Sequence, residues 1–420
     1  MLVFDAPKTT ELCGAIPNPP TVFDENPLLE LLNSDGFSIF PGFCDVHVHF
    51  REPGFSYKET ISSGCQAATR GGFTAVATMP NLDPVPDSVE NIGLAQAVID
   101  RDSSIAVFPY GSITEAEKGE QLADLKGMAS RVIAFSDDGM GVQSRELMRE
   151  AMVLAKEVGK IIAVHCEDEK LKDDGYINDG EYAREHGHRG IPAESEWREL
   201  ERDLELAKDT GVALHICHVS CRESIELIRV AKIDGIDVSC ETAPHYLVFD
   251  DAMLEEDGRF KMNPPLRAQA DRLAMIEAVA DGTVDMIATD HAPHSESEKS
   301  RGLAGSAFGI VGLETSFPAI YTYLVQTGII SLERVMELFV YRPRERFGIA
   351  LGNDFSIWNL EDTAPVRPSE FLSKGRATPF AGRILSGRCL LTVHNGKTVY
   401  LDEKALQETK ARTCKSERTH

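Results

Sequence analysis

The chain has 420 residues, 43 of them basic and 67 acidic, which gives a formal net charge of −24. A surface this acidic repels phosphate backbones and anionic lipid, so it argues against nucleic-acid and membrane partners. Hydrophobic residues at 42% and charged residues at 26% form an ordinary globular balance and exclude whole-chain disorder. The length suits two or three domains, or one large α/β barrel with additions. The opening MLVFDAPKTTELC has neither a basic stretch nor a long apolar one, and no run of 18 apolar residues occurs anywhere. Nine cysteines form no CxxC pair, a pattern expected of reduced thiols in a cytoplasmic protein.

Taken in chain order, residues 1–40 are rich in Pro and Asn and show little periodicity, so an atypical N-terminal segment is expected there. From residue 41 a rhythm begins in which a short apolar run ends in polar, reactive residues and a helical pattern follows. The runs lie at 42–50, 73–81, 104–112, 131–139, 161–168, 213–220, 237–245 and 284–291. Apolar runs alternating with amphipathic helices imply parallel strands buried on both faces. In the helix after the fourth run, Leu147, Ala151 and Leu154 share a face, with Ser144 as N-cap. Trp197, Leu200, Leu204 and Ala207 do the same in the longest connection, and Ser220 with Glu223 reads as a capping box. Eight units predict a (β/α)8 TIM barrel over 41–345. An open doubly wound sheet rarely needs eight strands, and no GxGxxG follows the first run. Residues 346–402 are expected to form a C-terminal accessory β segment, within which 383–401 reads as two strands joined by Asn395–Gly396. The tail 403–420 is polar and expected to fray.

Polar residues gather at the C-terminal ends of the strands, where barrel enzymes build their active sites. His47 and His49, at i and i+2, point to one face and can bind one metal together. Two imidazoles ending a buried strand are costly unless paired or ligated. His165, His218 and Asp290 offer matching groups at three other strand ends, which favours a metal centre over four satisfied core residues. His215 lies three residues from His218, so alternation sends the two to opposite faces and leaves His215 packed or hydrogen-bonded. The same argument separates Asp137 from Asp138 without saying which points inward. His186 and His188 are expected to be solvated, and His394 and His420 structural or exposed. Cys217, Cys221 and Cys240 lack zinc-knuckle spacing, and Cys166 reads as a buried thiol.

The segments PGFCDVHVHFREPG, TMPNLDPVPD, SDDGMGVQ, VHCED, HICHVS, KMNPPLR and ATDHAPH resemble class I dihydroorotases of the amidohydrolase superfamily. The likeness runs on through AFGIVGLET to FLSKGRATPF and covers most of residues 41–400. It implies a metallo-dependent hydrolase barrel with a small accessory β region from the chain termini, and two Zn2+ ions. One zinc would be held by His47, His49, Asp138 and Asp290, the other by Asp138, His165 and His218, with Asp138 and a hydroxide bridging them. Substrate contacts carry over to His49, Arg51, Asn81, Asn263 and His294, with backbone help from Phe308 and Gly309, and Asp290 becomes the acid/base residue. The fourth run contains no lysine, so the resemblance is to the aspartate-bridged subgroup rather than to relatives with a carboxylated lysine. The family usually begins with strands that build a β-sandwich with the C-terminal ones. Residues 1–40 show no such pattern, so a reduced or rebuilt sandwich is expected.

The implied reaction is reversible hydrolysis of the cyclic amide of dihydroorotate to carbamoyl-aspartate, a step of pyrimidine synthesis. The implied partners are that small-molecule substrate, a second copy in a homodimer, and aspartate carbamoyltransferase. Two other readings compete. A sibling cyclic amidase acting on hydantoins, dihydropyrimidines or allantoin would not need Arg51, Asn81 and His294 together, since its substrates lack the ring carboxylate. A non-catalytic scaffold would be expected to have lost ligands, and this chain keeps every one. The loop Ser295–Gly305, small and charged, could close over a ligand.

Overall fold

The structure, a computed structural model, describes residues 4–5 and 37–404. Two strands, β1 (Phe4–Asp5) and β2 (Phe37–Pro41), precede the barrel. Next come β3 (Phe43–Val48), β4 (Phe73–Thr78) and β5 (Ala106–Pro109), paired in parallel, and β6 (Ile162–Val164). A small pair, β7 (Ile177–Asn178) and β8 (Gly190–Ile191), decorates the long connection that follows. Then β9 (Leu214–Ile216), β10 (Val238–Thr242) and β11 (Met286–Ile287) continue the parallel sheet begun by β6.

The fourth predicted strand is reduced to a single paired residue. Phe135 bridges Gly111 on one side and Ile162 on the other. Ile133 N–H donates to Pro109 O at 3.0 Å and Phe135 N–H to Ile161 O at 3.0 Å, so the segment keeps the fourth place. At the far edge Val48 bridges His291 in parallel, and His49 N–H donates to His291 O at 2.9 Å. The pairings therefore return to their start, and the ring closes with eight places. Alternation along the strands splits the core in two. Cys44, Val46, Ala75, Ala77, Ala134, Ala163 and Met286 form one buried cluster, while Phe43, Phe73, Val76, Phe135, Ile162 and Ile287 join a second that includes helix residues such as Leu200, Ile225 and Met275. No helix among the described residues is long and apolar enough to cross a membrane.

An accessory five-stranded antiparallel sheet runs β1-β2-β12-β13-β14, with β12 (Phe355–Pro365), β13 (Ile384–His394) and β14 (Lys397–Leu401) from the other end of the chain. Asn395 (φ 49°) and Gly396 (φ 73°) make the predicted tight turn between β13 and β14. The small accessory β region expected from the chain termini forms, and residues 1–40, in which no strand pattern was visible, contribute β1 and β2 to it. The signal was hidden because β2 buries both faces: Phe40 enters the barrel–helix core while Phe37 and Ile39 pack with Ile357 and Leu391. Most of residues 1–40 lies outside the described residues, as does His420.

Ser144 caps the helix Arg145–Glu157 as predicted, accepting from Leu147 N–H at 3.3 Å. The Ser220–Glu223 capping box does not form. Cys221 is the N-cap residue of the helix Arg222–Ile233, and Ser220 instead donates to Glu196. The Glu196 carboxylate accepts from Ser220 N–H (3.1 Å) and Cys221 N–H (3.3 Å), taking over the cap from a neighbouring helix, while Glu223 pairs with Arg222.

Candidate metal centre and substrate pocket

The strand ends bring six side chains to one point in the barrel mouth, all of them buried. Asp138 stands at the centre. Its Oδ1 lies 3.4 Å from His47 Nε2, 3.4 Å from His218 Nε2 and 3.7 Å from His165 Nδ1, and its Oδ2 lies 3.4 Å from His49 Nε2. Asp290 Oδ1 reaches His49 Nε2 at 3.1 Å and His47 Nε2 at 3.6 Å. His165 Nδ1 and His218 Nε2 are 2.8 Å apart. Two of the groups able to hold a cation among the described residues are His47, His49 and Asp290, and His47, Asp138 and His218.

The arrangement fits a metal centre. His47 Nε2 and Asp138 Oδ1 are fully enclosed without a hydrogen-bond partner, an expensive state for two polar atoms unless a cation lies between them. His218 (φ 32°) and Asp290 (φ 47°) are held in the left-handed region that side chains avoid, and both aim at this point. The nitrogens turned away are occupied: His47 Nδ1 by Glu241 Oε1 (2.7 Å), His49 Nδ1 by Asn81 Oδ1 (2.9 Å) and His165 Nε2 by Asn263 Nδ2 (3.3 Å). Such outer partners fix tautomer and ring direction. In a third group, His47, Cys217 and Glu241, the Glu241 carboxylate is already bonded to His47 Nδ1 and His215 Nε2, and burial pushes the Cys217 thiol up to about 12.

Asp137, next to the central aspartate, faces elsewhere. It accepts from Ile113 N–H (2.7 Å), Thr114 N–H (3.1 Å) and the Thr114 hydroxyl, pinning the loop after β5. His215 departs from the expected alternation. It meets Glu241 Oε2 at 3.1 Å and Ser239 Oγ at 2.8 Å, so it shares the barrel interior with His218. The reason is that β9 ends at Ile216, and the turn at His218 cancels the strand period between them. His188 is also not solvated: it lies 2.9 Å from Tyr176 Oη and 3.0 Å from Glu256, whereas His186 is exposed. His394 is half-buried on Asp354 at 2.7 Å. Cys166 is a buried thiol.

Beside the six lies a cationic corner, conspicuous in so acidic a chain. Arg51 Nη1 approaches Asn81 Oδ1 at 3.4 Å and Nη2 approaches His294 Nε2 at 3.5 Å, while Lys58 Nζ stands 3.3 Å from His294 Nδ1. Burial, with Arg51 and Lys58 nearby, pushes His294 down to about 3, so it is a neutral imidazole. Burial lowers Arg51 to about 10, which leaves the guanidinium charged at neutral pH. On the other side Asn263 Nδ2 donates to Glu167 Oε2 at 2.9 Å, and Lys172 pairs with the same oxygen at 2.6 Å. Phe308 sits under Lys261, whose Nζ is 4.6 Å from the ring centroid. The Gly309 N–H is donated to Lys261 O at 3.1 Å. Its φ of 126° and lack of a side chain matter here, because a Cβ would fall 2.7 Å from Ala292 O.

Residues 36–224 match the dihydro-orotase-like family. A dihydroorotase of Fusobacterium nucleatum is 44% identical over 92% of this chain and 92% of its own, and one of Brevibacillus brevis is 46% identical over 88% and 89%. The chain belongs to the dihydroorotase family. Among solved structures, the L-hydantoinase (dihydropyrimidinase) from Arthrobacter aurescens superposes with a TM-score of 0.77 at 25% identity, over 86% of this chain and 85% of that one. A D-hydantoinase from a Thermus species gives 0.75 at 22% identity, which speaks for the shared fold alone.

For this member of the family, sequence reasoning missed the outer groups: Glu241, Glu167, Lys172 and Lys58. Glu241 did leave a signal, a carboxylate in the middle of the apolar run 237–245. His291, next to Asp290, is structural. It meets Glu59 Oε2 at 3.3 Å and accepts from Gly312 N–H at 3.2 Å.

Proposed function

We propose that the chain is a zinc-dependent dihydroorotase that opens and recloses the cyclic amide of dihydroorotate. The carrying observation is the corner of Arg51, Asn81 and His294 set beside the Asp138-centred cluster: it supplies fixed donors for a ring carboxylate within reach of an activating site. His47, His49, Asp138 and Asp290 would hold one cation and Asp138, His165 and His218 the other, with Asp138 shared and no carboxylated lysine. Bound there, two divalent cations supply Lewis acidity, activating water near neutral pH and polarising the scissile carbonyl.

The protein's own groups do the rest. Burial opposes ionisation of Asp290, yet the His49 hydrogen bond and the neighbouring His47 and His49 hold its carboxyl below the usual range. It is therefore a base at neutral pH, able to take the proton of the attacking water and deliver it to the leaving amide nitrogen. Arg51 offers a planar fork to the substrate carboxylate, Asn81 and neutral His294 complete that corner, and Asn263 and the Phe308 backbone face the ring from the His165 side. Gly309 contributes by its conformation, which lets this wall approach His294.

The test is turnover of dihydroorotate and of carbamoyl-aspartate by the zinc-loaded protein, with metal counted per chain and with dihydrouracil and hydantoin as rivals. Preference for dihydroorotate with two zincs bound supports the reading. Faster turnover of the rings that lack a carboxylate refutes it.

A further inference from the structure

Lys299 ends the short helix Glu296–Lys299 in the loop after β11 and is only 7% exposed. An ammonium buried that far ordinarily faces a carboxylate. This one faces two peptide carbonyls, donating to Lys261 O at 2.9 Å and Ala307 O at 2.7 Å. The carbonyls belong to different segments: Lys261 stands two residues before Asn263, and Ala307 immediately precedes Phe308. The Lys261 carbonyl also accepts the Gly309 N–H, so the two segments are tied at one point from both directions.

The rest of the loop is built to hold the amine there. Ala307 N–H donates to Glu298 O at 2.9 Å, and the Ser306 hydroxyl donates to Lys299 O at 3.0 Å, folding residues 298–307 back on themselves. Glu298 ties the same turn to Lys58 at 3.0 Å and to the Tyr57 hydroxyl at 3.2 Å. Gly258 lies against it, where a Cβ would stand 2.2 Å from Lys299 O. Burial, with Lys261 close by, pushes the Lys299 ammonium down to about 7. A methionine would fill the same space without burying an amine. What lysine adds is two directed hydrogen bonds, one to each segment.

We propose that Lys299 is a positioning residue for the substrate: a strut that sets the spacing between Asn263 and the Phe308 backbone, the two elements facing the ring on the His165 side. The identity of the ring rests on the dihydroorotase reading, whereas the strut does not. Lys299 touches none of the six cluster residues, so its loss is felt in binding and not in metal.

The experiment compares the full-length, zinc-loaded protein with K299M and with K299Q, which retains a donor. Metal content, kcat and KM for dihydroorotate are measured together with amide hydrogen exchange at Ala307 and Gly309. K299M is expected to keep its metal, raise KM about 10-fold with kcat within about threefold, and accelerate exchange at Gly309 while Ala163 and Ile216 stay protected. K299Q is expected to fall between. An unchanged KM, undiminished protection at Gly309, or a loss confined to metal content overturns the proposal. Should the parent itself fail to turn over dihydroorotate, the functional reading falls, and the exchange at Gly309 alone decides for or against the strut.

Discussion

Asp137 and Asp138 are chain neighbours with opposite surroundings, and removing each carboxylate should fail in a different way. In Asp137→Ala, the Ile113 and Thr114 N–H groups lose their acceptor in a buried loop. Each orphaned donor costs roughly 1–3 kcal/mol, so about 2–6 kcal/mol of stability should go, with the Thr114 hydroxyl free to turn elsewhere. The six cluster residues keep their places, and the metal should stay. In Asp138→Ala, four imidazole nitrogens at 3.4–3.7 Å lose the carboxylate that faces them all. Two cations would then repel one another without the intervening negative charge, so metal content should drop below one ion per chain and turnover should vanish. The assay is metal per chain after gel filtration, set beside thermal unfolding and dihydroorotate turnover for both variants. Metal loss confined to Asp137→Ala, or a fully metallated and active Asp138→Ala, would refute the reasoning.

Asp290→Asn keeps the shape but removes the basic oxygen, and turnover should fall roughly 10²–10⁴-fold in a metallated variant; near-parental kcat eliminates the proton-shuttle role. Arg51→Met should lower kcat/KM for dihydroorotate on the order of 10²-fold with metal content intact, since hydrogen bonds to a charged group are worth roughly 1.5–3 kcal/mol, and Arg51→Lys should restore little of it. Glu241→Gln swaps an acceptor for an amide opposite His47 Nδ1 and His215 Nε2, so metal affinity read by chelator competition should weaken roughly 10–100-fold; parental affinity removes Glu241 from the site. For Lys299, a folded value of about 7 lies below the ordinary 10.5, so the unfolded chain binds the extra proton between them. Stability of the parent relative to K299M should therefore rise as pH goes from 7 to 10, with Lys261, Asp257 and His294 as the titratable groups within electrostatic reach of the amine, none of them bonded to it. A pH-independent difference would contradict the buried charge.

Much of the barrel was legible because both-face burial makes each parallel strand a plain apolar run, and because HxH at a strand end carries its own geometry. The weaker places have physical causes. Ile133–Phe135 has so little ladder that hydrogen bonds to flanking strands, not a strand of its own, hold the fourth place. The His215–His218 argument assumed a strand period that the positive φ of His218 interrupts. The capping role given to Ser220 and Glu223 passed to Glu196, which is 24 residues away from Ser220 along the chain. Glu241, Glu167 and Lys172 act through other side chains, and only tertiary contact shows which carboxylate meets which imidazole. The choice of Asp138 over Asp137 came from the family likeness, and it was the loop after β5, claiming Asp137, that gave the choice a structural cause.

The ring closes where Val48 meets His291, and the same seam sets His49 against Asp290, 241 residues further along the chain. Contacts of such long range carry a large loop-closure entropy and tend to form late. During synthesis the first histidines emerge long before their aspartate, so a nascent chain holds only fragments of the cluster until the eighth unit has left the ribosome. Cation uptake should then mark the end of folding rather than its beginning, and a chain truncated before residue 284 should neither close nor hold the full complement.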